Sequence, residues 1–402
     1  MKYIVLVPDG MADYPVKELG DKTPLEVAHK DHMDFLAQNG FTGLVQTIPS
    51  KMHPGSEIGN LAIMGYDPCQ YFSGRAPLEA ANLGIELSDD EVAFRCNLVT
   101  VSENKMADYS AGHISTKEAA DLIKALNDHL KSGQIRFYAG KSYRHLLIIK
   151  GTHKKELVKL KCTAPHDILG QEIKPHLPKG QQAQILIDVM EASGKILENH
   201  SINHVRLDLK ENPANTIWLW GQGTRFSLPS FPEKFGITGS VISAVDLING
   251  IGKLAGLDVI QVPGITGYYD TNYAGKAQYA LKSLKTKDFV FIHVEAPDEA
   301  GHNGDLRMKI ACIERIDREI VGPILEHFDK TREDFRLLVV PDHATPVEKR
   351  THTRDPVCFA MFGKGIPNDG ASALTESAAR EKGLKFTTAE SLMEYFLKGA
   401  AI

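Results

Sequence analysis

Three aspartates stand just beyond short apolar runs that have the β-branched texture of buried strands. Residues 3–7 run into Pro8-Asp9-Gly10, residues 289–294 into Glu295-Ala296-Pro297-Asp298, and residues 337–340 into Pro341-Asp342-His343. Histidines accompany the second and third, as Asp298-x-x-x-His302 and Asp342-His343, and His352 follows inside Thr351-His352-Thr353. Mixed carboxylate and imidazole donors suit Mn²⁺ or Zn²⁺, with Mg²⁺ as a further candidate. Two such ions a few ångströms apart clamp the attacking and leaving oxygens of a phosphoryl transfer. Taken singly, each residue has a plainer reading, since a strand-terminal aspartate often caps a helix and a lone histidine is often surface or core.

A nucleophile for that chemistry is offered by Met52-His53-Pro54-Gly55-Ser56-Glu57-Ile58-Gly59-Asn60. Proline and glycine break the chain before Ser56, and apolar residues resume at Ile58, Leu61, Ile63 and Met64. This places Ser56 at a loop-to-helix junction, where free backbone N–H groups can meet an anion. A serine hydroxyl attacks only when a base or a metal activates it. On its own, Ser56 reads first as a helix N-cap. Arg75, in Ser73-Gly74-Arg75, is open to the same two readings: a phosphate contact or an ordinary surface arginine.

The elements around these residues predict an α/β core with a mainly parallel sheet, whose strand ends would gather the aspartates in one crevice. Thr23-Pro24 opens a helix carrying Leu25, Met33 and Leu36, and a second is expected through Val241, Val245, Ile248 and Ile251. Between residues 94 and 231 the texture changes to strands and one helix opened by the capping box Ser115-Thr116-Lys117-Glu118. An α+β domain over 94–231 is therefore expected to interrupt a core made of 1–93 and 232–402. The length of 402 residues fits two domains, and 43% hydrophobic with 24% charged residues describes an ordinary globular composition. A formal charge of -5 without any basic run argues against nucleic acid as a partner. No apolar stretch approaches membrane-spanning length, and the N-terminal run is too short for a signal segment. Five scattered cysteines without C-x-x-C spacing are expected to be buried thiols of a cytoplasmic protein.

Pro8-Asp9-Gly10, Pro54-Gly55-Ser56-Glu57-x-Gly59-Asn60, Asp298-Glu299-Ala300-Gly301-His302, Pro341-Asp342-His343 and Thr351-His352-Thr353 together resemble the cofactor-independent phosphoglycerate mutases. The likeness is greatest to the shorter, archaeal-type branch of that family, within the alkaline phosphatase superfamily, and runs the length of the chain. It implies an isomerase that converts 3-phosphoglycerate to 2-phosphoglycerate without bisphosphoglycerate, through a phosphoserine at Ser56. It implies one metal held by Asp9, Ser56, Asp342 and His343 and another by Asp298, His302 and His352, with manganese the first choice. The inserted domain would act as a lid, with His113 of Ala111-Gly112-His113 as proton shuttle and Arg144 as a carboxylate or phosphate clamp. Arg75 and Arg225 are further substrate-binding candidates. The partner would be small-molecule phosphoglycerate, and a homo-oligomer stays open. Two other activities use the same centre: phosphoryl transfer to another hydroxyl, as proposed for relatives read as homoserine kinases, and plain metal-dependent phosphatase action. No P-loop is present to support ordinary kinase chemistry.

Overall fold

A computed structural model describes residues 1–225 and 227–399. They form two compact units, one from Met1–Phe72 together with the chain from Ser227, the other from the intervening residues beginning at Ser73. Both boundaries differ from the expected 94 and 231, for reasons of packing. The helix Arg75–Asn82 contributes Ala76 and Ala80 to a small core with Ala93, Leu146 and Ile148, so it belongs with the inserted strands. At the other end Phe231 stacks near Phe289 and Tyr66, which ties it to the first unit.

The first unit is built on an eight-stranded sheet. Its order is Leu384–Phe386, Phe41–Val45, Val357–Gly363, Phe335–Val339, Lys2–Pro8, Phe289–Val294, Gly239–Ile242 and Asp258–Val259. The Lys2–Pro8 strand runs parallel to both neighbours, whereas Val357–Gly363 is antiparallel to both of its own. Ile4 to Val7 and Phe289 to Ile292 are fully buried, as strands covered on both faces require. Register does the positioning. Pro8 lies opposite Val294 and Leu6 opposite Val339, so the chain leaves the sheet at one level in three adjacent strands. Asp9, Glu295 and the Pro341-Asp342-His343 loop all follow from those ends.

The helix expected through Val241 is a strand, Gly239–Ile242, followed by a helix over Asp246–Leu254. The helical period at Val245, Ile248 and Ile251 is real, but the four-residue strand before it is too short and too fully buried to show a period. Thr23 forms the capping box with Glu26, yet its helix stops at Val27 and a new one spans Asp31–Asn39. Among the cysteines, Cys96, Cys312 and Cys358 are buried, but Cys69 is exposed.

The inserted unit has a five-stranded antiparallel sheet with Glu91–Ser102 at its centre, paired with Lys105–Asp108, Arg144–Lys150 and Thr216–Thr224. Ile135–Tyr138 extends it beyond Arg144–Lys150. The Ser115 capping box opens the helix Thr116–Leu130, whose Ala119, Leu122, Ile123 and Leu126 enter the core. Among the described residues no helix is long and apolar enough to cross a membrane.

Beneath the strand ends of the first unit lies a buried ion pair. Lys309 Nζ is 2.7 Å from Asp13 Oδ2 and donates also to the carbonyls of Ala12 and Thr345. Asp13 in turn accepts the Val347 N–H at 3.2 Å, so the pair ties the loop after the first strand to the loop carrying Asp342. Removing one partner strands a buried charge, at a cost of about 3–5 kcal/mol. Lys309→Met is therefore expected to lower the unfolding free energy of the first unit, read from urea titration, by about 3–5 kcal/mol, and an unchanged urea midpoint would contradict the role given to the pair.

Candidate active site

Asp9 turns out of the sheet through Gly10, whose φ of +61 and tight surroundings exclude a side chain. A Cβ there would lie 2.5 Å from Thr345 Oγ1 and 2.6 Å from Asp298 Oδ1. Asp342 is fixed by the backbone N–H groups of Gly10 and His343, which reach its Oδ1 at 3.2 and 3.0 Å. Asn60 Nδ2 donates to Asp342 Oδ2 at 2.8 Å and to the Ser56 carbonyl at 2.9 Å. This couples the helix Ser56–Ile63 to the Asp342 loop. Gly59 permits the approach, because a Cβ there would fall 2.5 Å from the Asp342 carbonyl oxygen. The N-cap of that helix is Gly55, without a side-chain capping bond, and Ser56 is the first helical residue. Ser56 Oγ instead lies 3.2 Å from His343 Nε2.

Three histidines share one arrangement. His302 Nδ1 lies 3.0 Å from the Arg350 carbonyl and His352 Nδ1 3.4 Å from that of Pro54. Carbonyls only accept, so each Nδ1 carries a hydrogen, and when the ring is neutral Nε2 offers its lone pair. His343 Nδ1 is 3.2 Å from Thr345 Oγ1, whose own hydrogen goes to Asp298 Oδ1, so the same tautomer follows. The freed Nε2 atoms converge. Those of His302 and His352 are 2.8 Å apart, and they lie 3.2 and 3.3 Å from the two oxygens of Asp298. His343 Nε2 lies 3.5 Å from both Asp9 Oδ1 and Asp342 Oδ2.

The electrostatics follow from burial. Asp9, Asp342 and His343 are fully buried. Burial, then the charges of Asp342, Asp298 and Glu295, push the Asp9 carboxyl well above its ordinary range. Burial lowers His343. Burial alone would raise Asp298, but hydrogen bonds from His302 and His352 hold it well below the usual carboxylate value. His302 rises to about 9 through its hydrogen bond to Asp298.

These residues fit divalent cations. Nitrogen and oxygen donors about 2.0–2.2 Å from one ion sit about 3.0–3.5 Å from each other, close to the separations among Asp298, His302 and His352. Asp9 Oδ1 is a buried carboxylate oxygen without a hydrogen-bond partner among the described residues, as a ligand atom would be. Asp9, Asp342 and His343 group donor atoms within 4.8 Å, as do Asp298, His343 and His352. Each histidine is also braced through its other nitrogen, the arrangement metal-ligating imidazoles adopt.

The inserted unit carries a second concentration of polar chemistry. Ala111, Gly112 and His113 all have positive φ, and Asp108 pins their loop by accepting from Ser110 N, Ser110 Oγ and Gly112 N. His113 is exposed at the end of this strained loop. Its ring is 6.1 Å from Tyr143, over which the Arg144 guanidinium sits at 4.8 Å. From Tyr143 a chain of rings continues through Tyr109 and His166 to Trp220, and Arg95 covers Trp220 at 4.1 Å. Burial lowers His166, and the charges of Arg75, Arg95 and Arg144 push the same way. Arg75 and Arg144 thus share one basic face. Arg225 stands exposed elsewhere, 3.7 Å from Asp89.

A curated relative from Methanosarcina acetivorans, named a 2,3-bisphosphoglycerate-independent phosphoglycerate mutase, is 49% identical over 399 residues, covering 99% of this chain and 100% of its own. The chain belongs to that family. The family model for 2,3-bisphosphoglycerate-independent phosphoglycerate mutase matches residues 37–203, a span that includes Ser56 and much of the inserted unit. Among solved structures, a Pyrococcus horikoshii protein aligns with a TM-score of 0.81 at 29% identity, over 98% of this chain and 96% of that one. A cofactor-independent phosphoglycerate mutase from Thermoplasma acidophilum aligns over 100% of both chains, with a TM-score of 0.68 at 26% identity.

In this mutase-family chain several residues without a sequence signal stand beside the predicted ones. His293 lies inside an apolar run and reads as strand, yet its Nε2 is 3.0 Å from Asp9 Oδ2. Thr345, three residues beyond Asp342, carries no motif signal of its own. Arg95 lies within the strand Glu91–Ser102, His166 in the short turn Pro165–Ile168 and His145 beside Arg144 in the strand Arg144–Lys150, where no local pattern marks them. His145 is 1% exposed, accepts the Gly140 N–H on Nδ1 at 3.0 Å, and is lowered to about 3 by burial.

The folded protein therefore keeps His145 neutral, while the unfolded chain takes up a proton there below about 6.5. Stability from this residue is intact above that pH and declines as pH falls towards 3, by at most about 1.4 kcal/mol per unit. His145→Gln should flatten the loss of stability of the inserted unit between pH 6 and 4, measured by urea unfolding. An acid slope equal to that of the wild type would contradict this.

Proposed function

We propose that the chain is a 2,3-bisphosphoglycerate-independent phosphoglycerate mutase that moves the phosphoryl group between the 3- and 2-oxygens of glycerate through Ser56. The observation that carries this reading is the convergence of three braced imidazoles and three buried aspartates around a helix-initial serine. Asp9, Ser56, Asp342 and His343 would hold one divalent cation, and Asp298, His302 and His352 a second. Mn²⁺ is our first choice, with Zn²⁺ or Mg²⁺ as alternatives. When bound, the cations supply positive charge for the phosphoryl oxygens and lower the pKa of the serine hydroxyl.

The chain's own residues do the rest. Asn60 and the backbone of Gly10 and His343 hold Asp342, and through Asn60 they hold the carbonyl of Ser56 itself. His343 Nε2 lies 3.2 Å from Ser56 Oγ, so the two would ligate the same cation side by side, and the Ser56 proton, made acidic there, would pass to water. Ser56 Oγ then takes the phosphoryl group as its bond to the 3-oxygen breaks, and the group returns to the 2-oxygen. His113 is our candidate for carrying the proton between those two oxygens. Arg75 and Arg144, joined by Arg95, would supply counter-charge to the substrate's carboxylate and phosphate; His166, whose charged form burial and those arginines disfavour, would add only a hydrogen bond, and Arg225 is given no role. We place the enzyme in the cytoplasm, acting on a small-molecule substrate rather than on nucleic acid or a membrane.

Phosphorus NMR of the Mn²⁺-loaded protein with 3-phosphoglycerate separates the alternatives, since 2-phosphoglycerate marks a mutase and free phosphate a phosphatase. Ser56→Ala should lose at least about 10³-fold in turnover with its thermal midpoint kept, because the nucleophile itself is gone. Turnover within tenfold of wild type would overturn the phosphoserine route.

A further inference from the structure

Asp9, His293 and Glu295 bring donor atoms within 4.8 Å and at first sight offer a third cation site. The hydrogen bonds of His293 argue otherwise. Its Nε2 lies 3.0 Å from Asp9 Oδ2, while Nδ1 faces Ser243 Oγ at 3.2 Å and Glu295 Oε2 at 3.7 Å. Asp9 Oδ2, as a carboxylate oxygen, accepts, so the ring hydrogen sits on Nε2. Nδ1 then takes the hydrogen of Ser243 Oγ, which itself accepts the Val245 N–H at 3.0 Å. Neither nitrogen keeps a lone pair for a cation.

The residue is also enclosed. His293 is 1% exposed and lies opposite Val7 in the parallel register, and Lys276 Nζ holds its carbonyl at 2.7 Å. We propose that His293 is a positioning residue that occupies Asp9 Oδ2, so that Asp9 presents Oδ1 alone to the cation shared with Asp342 and His343. Oδ1 is the oxygen left without a partner among the described residues, and the one 3.5 Å from His343 Nε2. His293 thus braces a carboxylate ligand as Thr345 and the Arg350 and Pro54 carbonyls brace the imidazoles. This inference rests on the two-cation reading above.

Two polar substitutions of similar burden test it. In His293→Gln the amide nitrogen reaches the position of Nε2 and can still donate to Asp9; in His293→Asn it reaches only as far as Nδ1. Mn²⁺ is titrated calorimetrically into each chelator-treated full-length protein at one pH, with circular dichroism confirming the fold. His293→Asn should weaken one of two binding events by about 10–100-fold, the usual effect of losing such a brace, and leave the other within about threefold. His293→Gln should recover most of that loss. Equal affinities for the two variants, or equal weakening of both events, would overturn the positioning role. Wild-type protein that binds no Mn²⁺ would instead overturn the two-cation reading on which it stands.

Discussion

Buried negative charge is the constraint on which the first unit is organised. Asp9 and Asp342 are fully buried and Asp298 is 4% exposed. An ionised carboxylate taken out of water is strongly unfavourable unless it is paired or bound to a metal. Backbone N–H groups, Asn60 and Thr345 meet part of that need. They do not meet all of it, since Asp9 Oδ1 keeps no protein partner among the described residues. An arrangement this far from electrostatic balance makes physical sense as a binding site for cations and poor sense as a structural core.

The fold serves that concentration of charge through register rather than through loops alone. Three adjacent parallel strands deliver the acidic residues at one edge, and the Lys309–Asp13 pair locks two of the emerging loops together. Gly10 and Gly59 allow backbone approaches closer than any side chain permits, one at Thr345 and Asp298 and one at Asp342. The imidazoles gain their direction from carbonyl and hydroxyl acceptors on Nδ1, so their tautomers are set by the fold before any ligand arrives.

The strand-end aspartates and their histidines were legible in the sequence because an apolar run, its acidic end and a nearby histidine are all local features. Ser56 was legible as a junction, but its surroundings were not: only the structure shows Gly55 as the cap and Ser56 Oγ 3.2 Å from His343 Nε2. Longer-range relations left no such mark. His293 sits in a fully buried strand, and its partner Asp9 lies just beyond the end of the adjacent one. Gly239–Ile242 was too short to declare itself a strand against the helix that follows. The placement of Arg75–Asn82 with the inserted unit depends on contacts with Ala93, Leu146 and Ile148, which no linear pattern encodes. Arg95 and His166 join Arg144 only through a chain of ring contacts assembled by the sheet.

The most direct test of the central claim is anomalous diffraction from crystals grown with Mn²⁺. Two peaks are expected, one among Asp298, His302 and His352 and one among Asp9, Ser56, Asp342 and His343, with Asp9 bound through Oδ1. An empty crevice, or manganese bound instead between Asp9, His293 and Glu295, would contradict that claim.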